Sequence, residues 1–255
     1  MRLFKLTLTT LFRQKTWLIS AFLVLVMPFI LPMISSASEN PGATKPALAQ
    51  AAWSMAWLSA ILWGFFAAAR AGENLSRSGL GEYFQTTGLS ATRQLAEIWA
   101  AILVYVAPLG IAAALITIFA ASPAKPDERS MWLANNLQYA ILFVVVIAPL
   151  IALAIAVASR FGGITGFLTT AGICVYGLYG VGYMKMLLHI EHNSVLAWIW
   201  SASPHYHLAD PTERLRYKLG AIEWSQFPTL LAYFVGIFLL YAALSRAIFR
   251  VKAAA

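Results

Sequence analysis

Six stretches of this chain, at 16–38, 46–69, 98–124, 130–159, 161–184 and 224–245, contain no Asp, Glu, Lys or Arg. A helix rises about 1.5 Å per residue, so roughly 20 apolar residues cross a hydrocarbon core of about 30 Å. Each stretch is long enough to do so. Strands of a membrane barrel alternate apolar and polar residues over roughly 10 positions. The run Ile141-Leu-Phe-Val-Val-Val-Ile-Ala148 does not alternate. Only 11% of the 255 residues are charged, against about 25% in a soluble domain, too few to clothe a water-facing core. The sequence predicts an all-α integral membrane protein, a single transmembrane domain over 1–255. Its six spans are placed at about 17–37, 48–69, 98–121, 135–158, 163–187 and 227–247.

The net charge of +8 raises the question of a nucleic-acid partner, and its distribution answers it. Alternate connections hold Arg2, Lys5, Arg13, Lys15, Arg70, Arg77, Arg93, Arg160, Arg246, Arg250 and Lys252, opposed only by Glu73, Glu82 and Glu97. The other side holds Lys45, Lys125, Arg129, Lys185, Arg214, Arg216 and Lys218. Seven acids balance these: Glu39, Asp127, Glu128, Glu191, Asp210, Glu213 and Glu223. The whole net charge falls on one face, which the positive-inside rule makes cytoplasmic. Both termini are therefore expected inside, with no nucleic acid bound. A cleaved signal peptide ending at Ser35-Ser36-Ala37 is the competing reading of the first stretch. Signal h-regions of about 7–15 residues are shorter than this run.

No Gly-Lys dipeptide occurs, so the chain has no Walker-type phosphate loop, and it has neither a G-x-S-x-G elbow nor an H-E-x-x-H helix. No ionisable group lies deep in a span, where ion-coupled carriers usually place one. This disfavours a secondary transporter and an intramembrane enzyme. The single Cys174 excludes a disulfide framework and reads as a packing residue.

The largest connection on the basic side is 70–97. Within it, Leu80, Tyr83, Phe84 and Thr87 share one face of a short helix. The plain alternative is a helix resting on lipid headgroups. Arg2–Gln14, with Leu3, Phe4, Leu8, Leu11 and Phe12 among Arg2, Lys5 and Arg13, is a second amphipathic segment, suited to the membrane interface; the interfacial segment is taken as 1–15.

At these residues the chain resembles the permease subunits of type-2 ATP-binding-cassette (ABC) exporters. Their second-to-third connection carries an acid, a Gly, Glu-x-Leu/Phe and Thr-Pro-Leu-Ser. Here the matching residues are Glu73, Gly79 or Gly81, Glu82-Tyr83-Phe84 and Thr87-Gly88-Leu89-Ser90. Gly88 stands where the family usually has Pro, and Glu97 lies near a position that is commonly basic. Ser159-Arg160-Phe161 forms the short second connection that the family also has. The resemblance implies an ATPase-coupling interface at Glu73, Glu82, Tyr83, Phe84, Gly88, Leu89, Ser90 and Arg160. It also implies that ATP and Mg bind to a separate ATPase subunit, and that this chain binds no cofactor and is not itself an enzyme. The implied partners are that ATPase, a second permease copy, the bilayer of a bacterial inner membrane and, in non-transporting assemblies, a periplasmic protein.

The fifth span is rich in small residues, including Gly162-x-x-x-Gly166, a spacing that permits close helix approach in lipid. Packing within the chain and packing between subunits both fit. The resemblance favours the second, with Gly166, Gly172, Tyr176, Gly177, Tyr179 and Gly180 on a dimer contact and substrate path. Beyond it, the long 188–226 connection holds a helix start at Asp210-Pro211-Thr212-Glu213, with Gly220 as the expected stop. The resemblance implies short re-entrant helices here. Six of nine Trp (Trp53, Trp57, Trp132, Trp198, Trp200, Trp224) gather toward the same interface. His189, His192, His205 and His207 lie in this connection too; imidazoles at such spacing can hold a transition metal, but neither His189-x-x-His192 nor His205-x-His207 matches a specific metal motif, a polar interface is the plainer reading, and no metal site is assigned.

Overall fold

The computed structural model describes residues 2–39, 41–191, 193–217 and 219–251. His192, Lys218 and Lys252, which entered the readings above, lie outside them. Helix makes up 84% of the structure, with no strand among the described residues. Five helices are long and apolar enough to cross a bilayer: α3 (Gly42–Arg77), α5 (Ala91–Phe119), α6 (Pro126–Phe161), α7 (Gly163–Ile190) and α10 (Phe227–Ile248). A sixth crossing is offered by a bent pair, α1 (Arg2–Arg13) and α2 (Trp17–Ile30), inclined at 68°. The architecture is that of an all-α multi-pass membrane protein.

The spans differ from expectation in instructive ways. Regular helix in α2 stops at Ile30, because Pro28 and Pro32 interrupt the backbone ladder and residues 31–34 turn. The helical part of the first apolar stretch is thus shorter than the 17–37 expected. Conversely, α3 does not end at residue 69 but continues to Arg77. Its last turns bury Phe65, Ala68, Ala69, Gly72, Leu75 and Ser76, with Arg70 exposed and the Glu73 side chain largely covered. Similarly α6 starts at Pro126, with Asp127 and Glu128 in its first turn, where Pro and acids suit the free N–H groups and the helix dipole.

The centre of the fold is α6, buried nearly all round from Leu142 to Ala158, the mark of a helix surrounded by others. Its alanines at 148, 152, 154, 156 and 158 let neighbours approach closely. Spans α3, α5, α7 and α10 all pack against it. The tightest crossing is at Gly72 of α3, where a Cβ would stand 2.2 Å from the Ile155 carbonyl oxygen. Wide π-turns interrupt α3 at Ala60–Gly64 and α7 at Tyr176–Gly180.

Three short α-helices and two 3-10 turns, Ser36–Glu39 and Tyr206–Ala209, complete the described residues. On the basic side lies α4 (Leu80–Thr86). In the 188–226 connection lie α8 (Ser194–Ala202) and α9 (Thr212–Arg216). Asn193 caps α8, its carboxamide oxygen accepting from the N–H groups of Val195 (2.9 Å) and Leu196 (3.3 Å). The carboxylate of Asp210 accepts from the Thr212 N–H at 3.1 Å, as the acidic start predicts. The helix ends at Arg216 rather than near Gly220, whose φ of +91° serves the following turn. There the Arg214 guanidinium donates to the carbonyls of Gly220 (3.2 Å) and Ala221 (3.3 Å).

Candidate functional site

The segment from Gly79 to Ser90 folds as one capped unit on the basic side. Gly79 opens it with φ +71° and Gly88 closes it with φ +88°, a conformation that costs a side-chain-bearing residue far more than glycine. The Leu89 N–H donates to the Phe84 carbonyl (2.9 Å) and the Gly88 N–H to that of Gln85 (3.0 Å). This is the paired 6→1 and 5→2 pattern of a Schellman stop. Phe84 and Leu89, at its two ends, both pack onto the core. Gly88 is thus required by the backbone, which explains why this position does not carry Pro. Ser90 caps α5, its hydroxyl 3.4 Å from the Arg93 N–H.

Three contacts clamp this unit to the bundle. The Gln94 side chain, fully buried, donates to the Gly81 carbonyl (3.0 Å) and the Leu89 carbonyl (2.9 Å). A Cβ on Gly81 would lie 2.7 Å from Val251 Cγ1, so the C-terminal segment presses directly on α4. The Arg250 N–H donates to the Ser159 hydroxyl at 3.0 Å, joining that segment to the end of α6. Glu97, 5% exposed, serves the interfacial helix instead. Its carboxylate accepts from the N–H groups of Leu3 (3.1 Å) and Phe4 (3.2 Å) and from the Arg93 guanidinium (3.3 Å). It therefore satisfies orphan donors at the start of α1.

Sequence reasoning singled out neither Gln94 nor Val251, and it named Gly81 and Glu97 without their tertiary roles. A signal existed for two of them: Gln94 and Glu97 fall at i and i+3 on the stripe that continues through Ile98, Ala101, Ile102 and Tyr105, all buried. Polar residues on an otherwise apolar face imply partners.

Of the eight residues assigned to coupling, those from Glu82 to Ser90 lie in this unit. Glu82 is exposed and Tyr83 is 62% exposed, whereas Phe84 is half-buried against its own chain. Beside them is a cleft of ≈ 240 Å³ between α1, α3 and α4, lined by Leu3, Leu6, Thr7, Arg70, Asn74 and Leu80 among others. Glu73 belongs to a different junction. It pairs with Arg77 at 2.8 Å, and its Oε2 would stand 2.4 Å from a Cβ on Gly163, so it overhangs the turn from α6 into α7. Arg160, exposed at that turn, stacks 5.4 Å above Phe161.

The fifth-span residues divide. Gly166 admits α6, a Cβ there meeting Ala158 Cβ at 2.6 Å and the Ala154 oxygen at 2.8 Å. Gly177 admits Tyr206 and Pro204, and Gly180 accommodates the Tyr176 ring. The Tyr176 hydroxyl bonds that of Ser203 at 2.7 Å. Only Gly172, with nothing within 4 Å of its would-be Cβ, and Tyr179, 61% exposed, lie on the open face with Leu168, Val175 and Tyr183. Cys174 is buried in packing.

At the opposite, charge-balanced end, a buried polar cluster ties the 188–226 connection to two spans. The Tyr139 hydroxyl donates to the Asp210 carboxylate and accepts from the Trp57 indole at 2.9 Å; Thr212 lies 3.1 Å from it. Trp53 stacks on Tyr139 at 3.8 Å and donates to Asn136 at 2.9 Å. Asp210→Ala removes the carboxylate and leaves Tyr139 without its strongest acceptor. Losing a buried hydrogen bond of this kind costs about 1–3 kcal/mol, so the detergent-purified variant is expected to unfold at a lower temperature. Asp210→Asn, which keeps an acceptor oxygen, should fall in between. Identical melting of all three proteins would refute the cluster.

His205 and His207 stand 5.5 Å apart, and among the described residues no three His, Cys, Asp or Glu converge for a metal. Compared with family models, curated proteins and solved structures, the chain matches none.

Proposed function

We propose that this protein is the membrane subunit of an ATP-driven exporter of the type-2 ABC kind, in the inner membrane of a bacterium with both termini in the cytoplasm. The observation that carries the reading is α4, a short helix set between two glycines in the left-handed conformation. It is clamped by Gln94 and Val251, yet presents Glu82 and Tyr83 outward, near a cleft lined by Leu3, Leu6, Arg70 and Asn74. A helix held so firmly from behind and bare in front suits transmission of force from a docked partner. The partner is a separate ATPase, which supplies ATP and Mg binding; this chain has no phosphate loop. Two copies of the chain, or one with a homologous permease, meet across the open face of α7 and enclose the substrate path. ATP binding shifts the pair only insofar as the loaded ATPase holds α4 differently from the empty one.

Co-expression with its ATPase should yield a complex of two permeases with ATPase subunits that hydrolyses ATP, whereas the permease alone should not. Glu82→Lys should preserve the complex largely but uncouple transport in vesicles from hydrolysis. Robust hydrolysis by the isolated chain, or no recovery of an ATPase with it, refutes the reading.

A further inference from the structure

A larger cavity at the charge-balanced end, of ≈ 630 Å³, has no part in this reading and does not depend on the ATPase. It lies between α8, the 203–209 turn and the start of α10, within the size range of small-molecule sites. Three aromatic rings meet at one corner. His205 stands perpendicular to Trp200 (79°, 4.6 Å between centroids) and to Tyr233 (83°, 6.2 Å). The corner is fixed by hydrogen bonds: His205 Nε2 is 3.1 Å from the Trp200 carbonyl oxygen, and the Tyr233 hydroxyl accepts from the His205 N–H at 3.0 Å. Aromatic faces attract cations, ammonium groups foremost. A carboxylate stands near: Glu223 is within 3.4 Å of Ser225 Oγ and 3.3 Å of Gln226 Nε2, both of which line the cavity.

One further feature completes the chemistry. Leu208 and Leu230 give the cavity apolar walls, and Leu208 is itself exposed, which leaves that wall open to an acyl chain. Aromatic rings for a cation, a carboxylate at the rim and apolar walls describe an amphiphile with an ammonium head. We propose that this cavity binds the headgroup of a phospholipid ending in an ammonium, with the ammonium against Trp200, His205 and Tyr233 and Glu223 at the rim.

Native mass spectrometry of the full chain in detergent tests this with phosphatidylethanolamine, phosphatidylcholine and phosphatidylglycerol of matched acyl chains. The ammonium lipids should be retained roughly tenfold better than phosphatidylglycerol, the scale of a desolvated cation–π contact. Tyr233→Leu and Glu223→Gln should each reduce that preference about three- to tenfold, while Gly236→Ala, placed in open space, should not. Glu223 is exposed, so its variant keeps the fold and isolates the charge. Equal retention of all three lipids would reduce the cavity to an acyl slot and overturn the proposal, as would an unchanged preference in both variants. Displacement by free glycerophosphocholine as readily as by lipid would assign a soluble ammonium ligand and overturn the lipid assignment.

Discussion

Gly72→Val is expected to yield little or no monodisperse protein. The new Cβ would meet the Ile155 carbonyl oxygen at 2.2 Å and the Ile155 carbonyl carbon at 2.9 Å. These are backbone atoms within the last turns of α6, so no rotamer change relieves them, and the two spans must separate at their crossing. Overpacking that side chains can absorb costs about 1–3 kcal/mol; separating the spans would also forfeit the contacts of Ala68, Ala69 and Leu75 beside Gly72, so the total should exceed that range. Gly236→Val is the matched control, since nothing lies within 4 Å of its Cβ. Size-exclusion yield and thermal unfolding of the two variants check the contrast. A Gly72→Val protein melting with the wild type would mean that α3 and α6 do not cross here.

The second large effect is functional, and it separates two neighbouring rings. If α4 docks an ATPase as proposed, Tyr83→Ala should weaken its capture by about 2 kcal/mol, roughly thirtyfold, as expected when an exposed aromatic anchor is lost from an interface. Its own thermal stability should stay within about 0.5 kcal/mol of wild type, as for most surface substitutions. Phe84→Ala should do the reverse. That ring packs on the chain's own core and on Tyr83 (5.7 Å), so its loss should lower stability by about 1–3 kcal/mol and disturb docking only through the displaced helix. Titrating the purified ATPase against each variant, alongside melting curves, resolves the pair. Wild-type affinity in Tyr83→Ala would remove α4 from the interface.

The sequence made the membrane class and helical composition legible because the underlying physics is local: charge-free runs must be long, and they are. It blurred the ends of spans, because a charge ends an apolar run without ending a helix. Arg70 and Glu73 close the second run, yet the helix continues to Arg77 with its other face buried. Pro28 and Pro32 had the opposite effect, breaking backbone regularity inside an unbroken apolar run. The Gly79–Ser90 unit was legible as a short helix between turns. Its inward clamps were not, since Gln94 and Val251 reach it only through tertiary contact. Glycine content likewise announced close packing in α7 without saying against what. Gly166 and Gly177 are filled from within the chain, and Gly172 faces outward.

The π-turn at Ala60–Gly64 has a consequence for helix phase. Trp53 and Gly72 both meet α6, one stacked on Tyr139 and the other against Ile155. They are nineteen positions apart in the chain, a separation that leaves a regular helix about 100° out of phase. The wide turn absorbs one residue and brings both onto one side. Rewinding those five residues as ordinary α-helix would swing one end of α3 against the other by about 100° and lengthen it by roughly 1.5 Å. The span that carries α4 therefore keeps both contacts only with the wide turn in place, whereas the same span one residue shorter would keep them as regular α-helix.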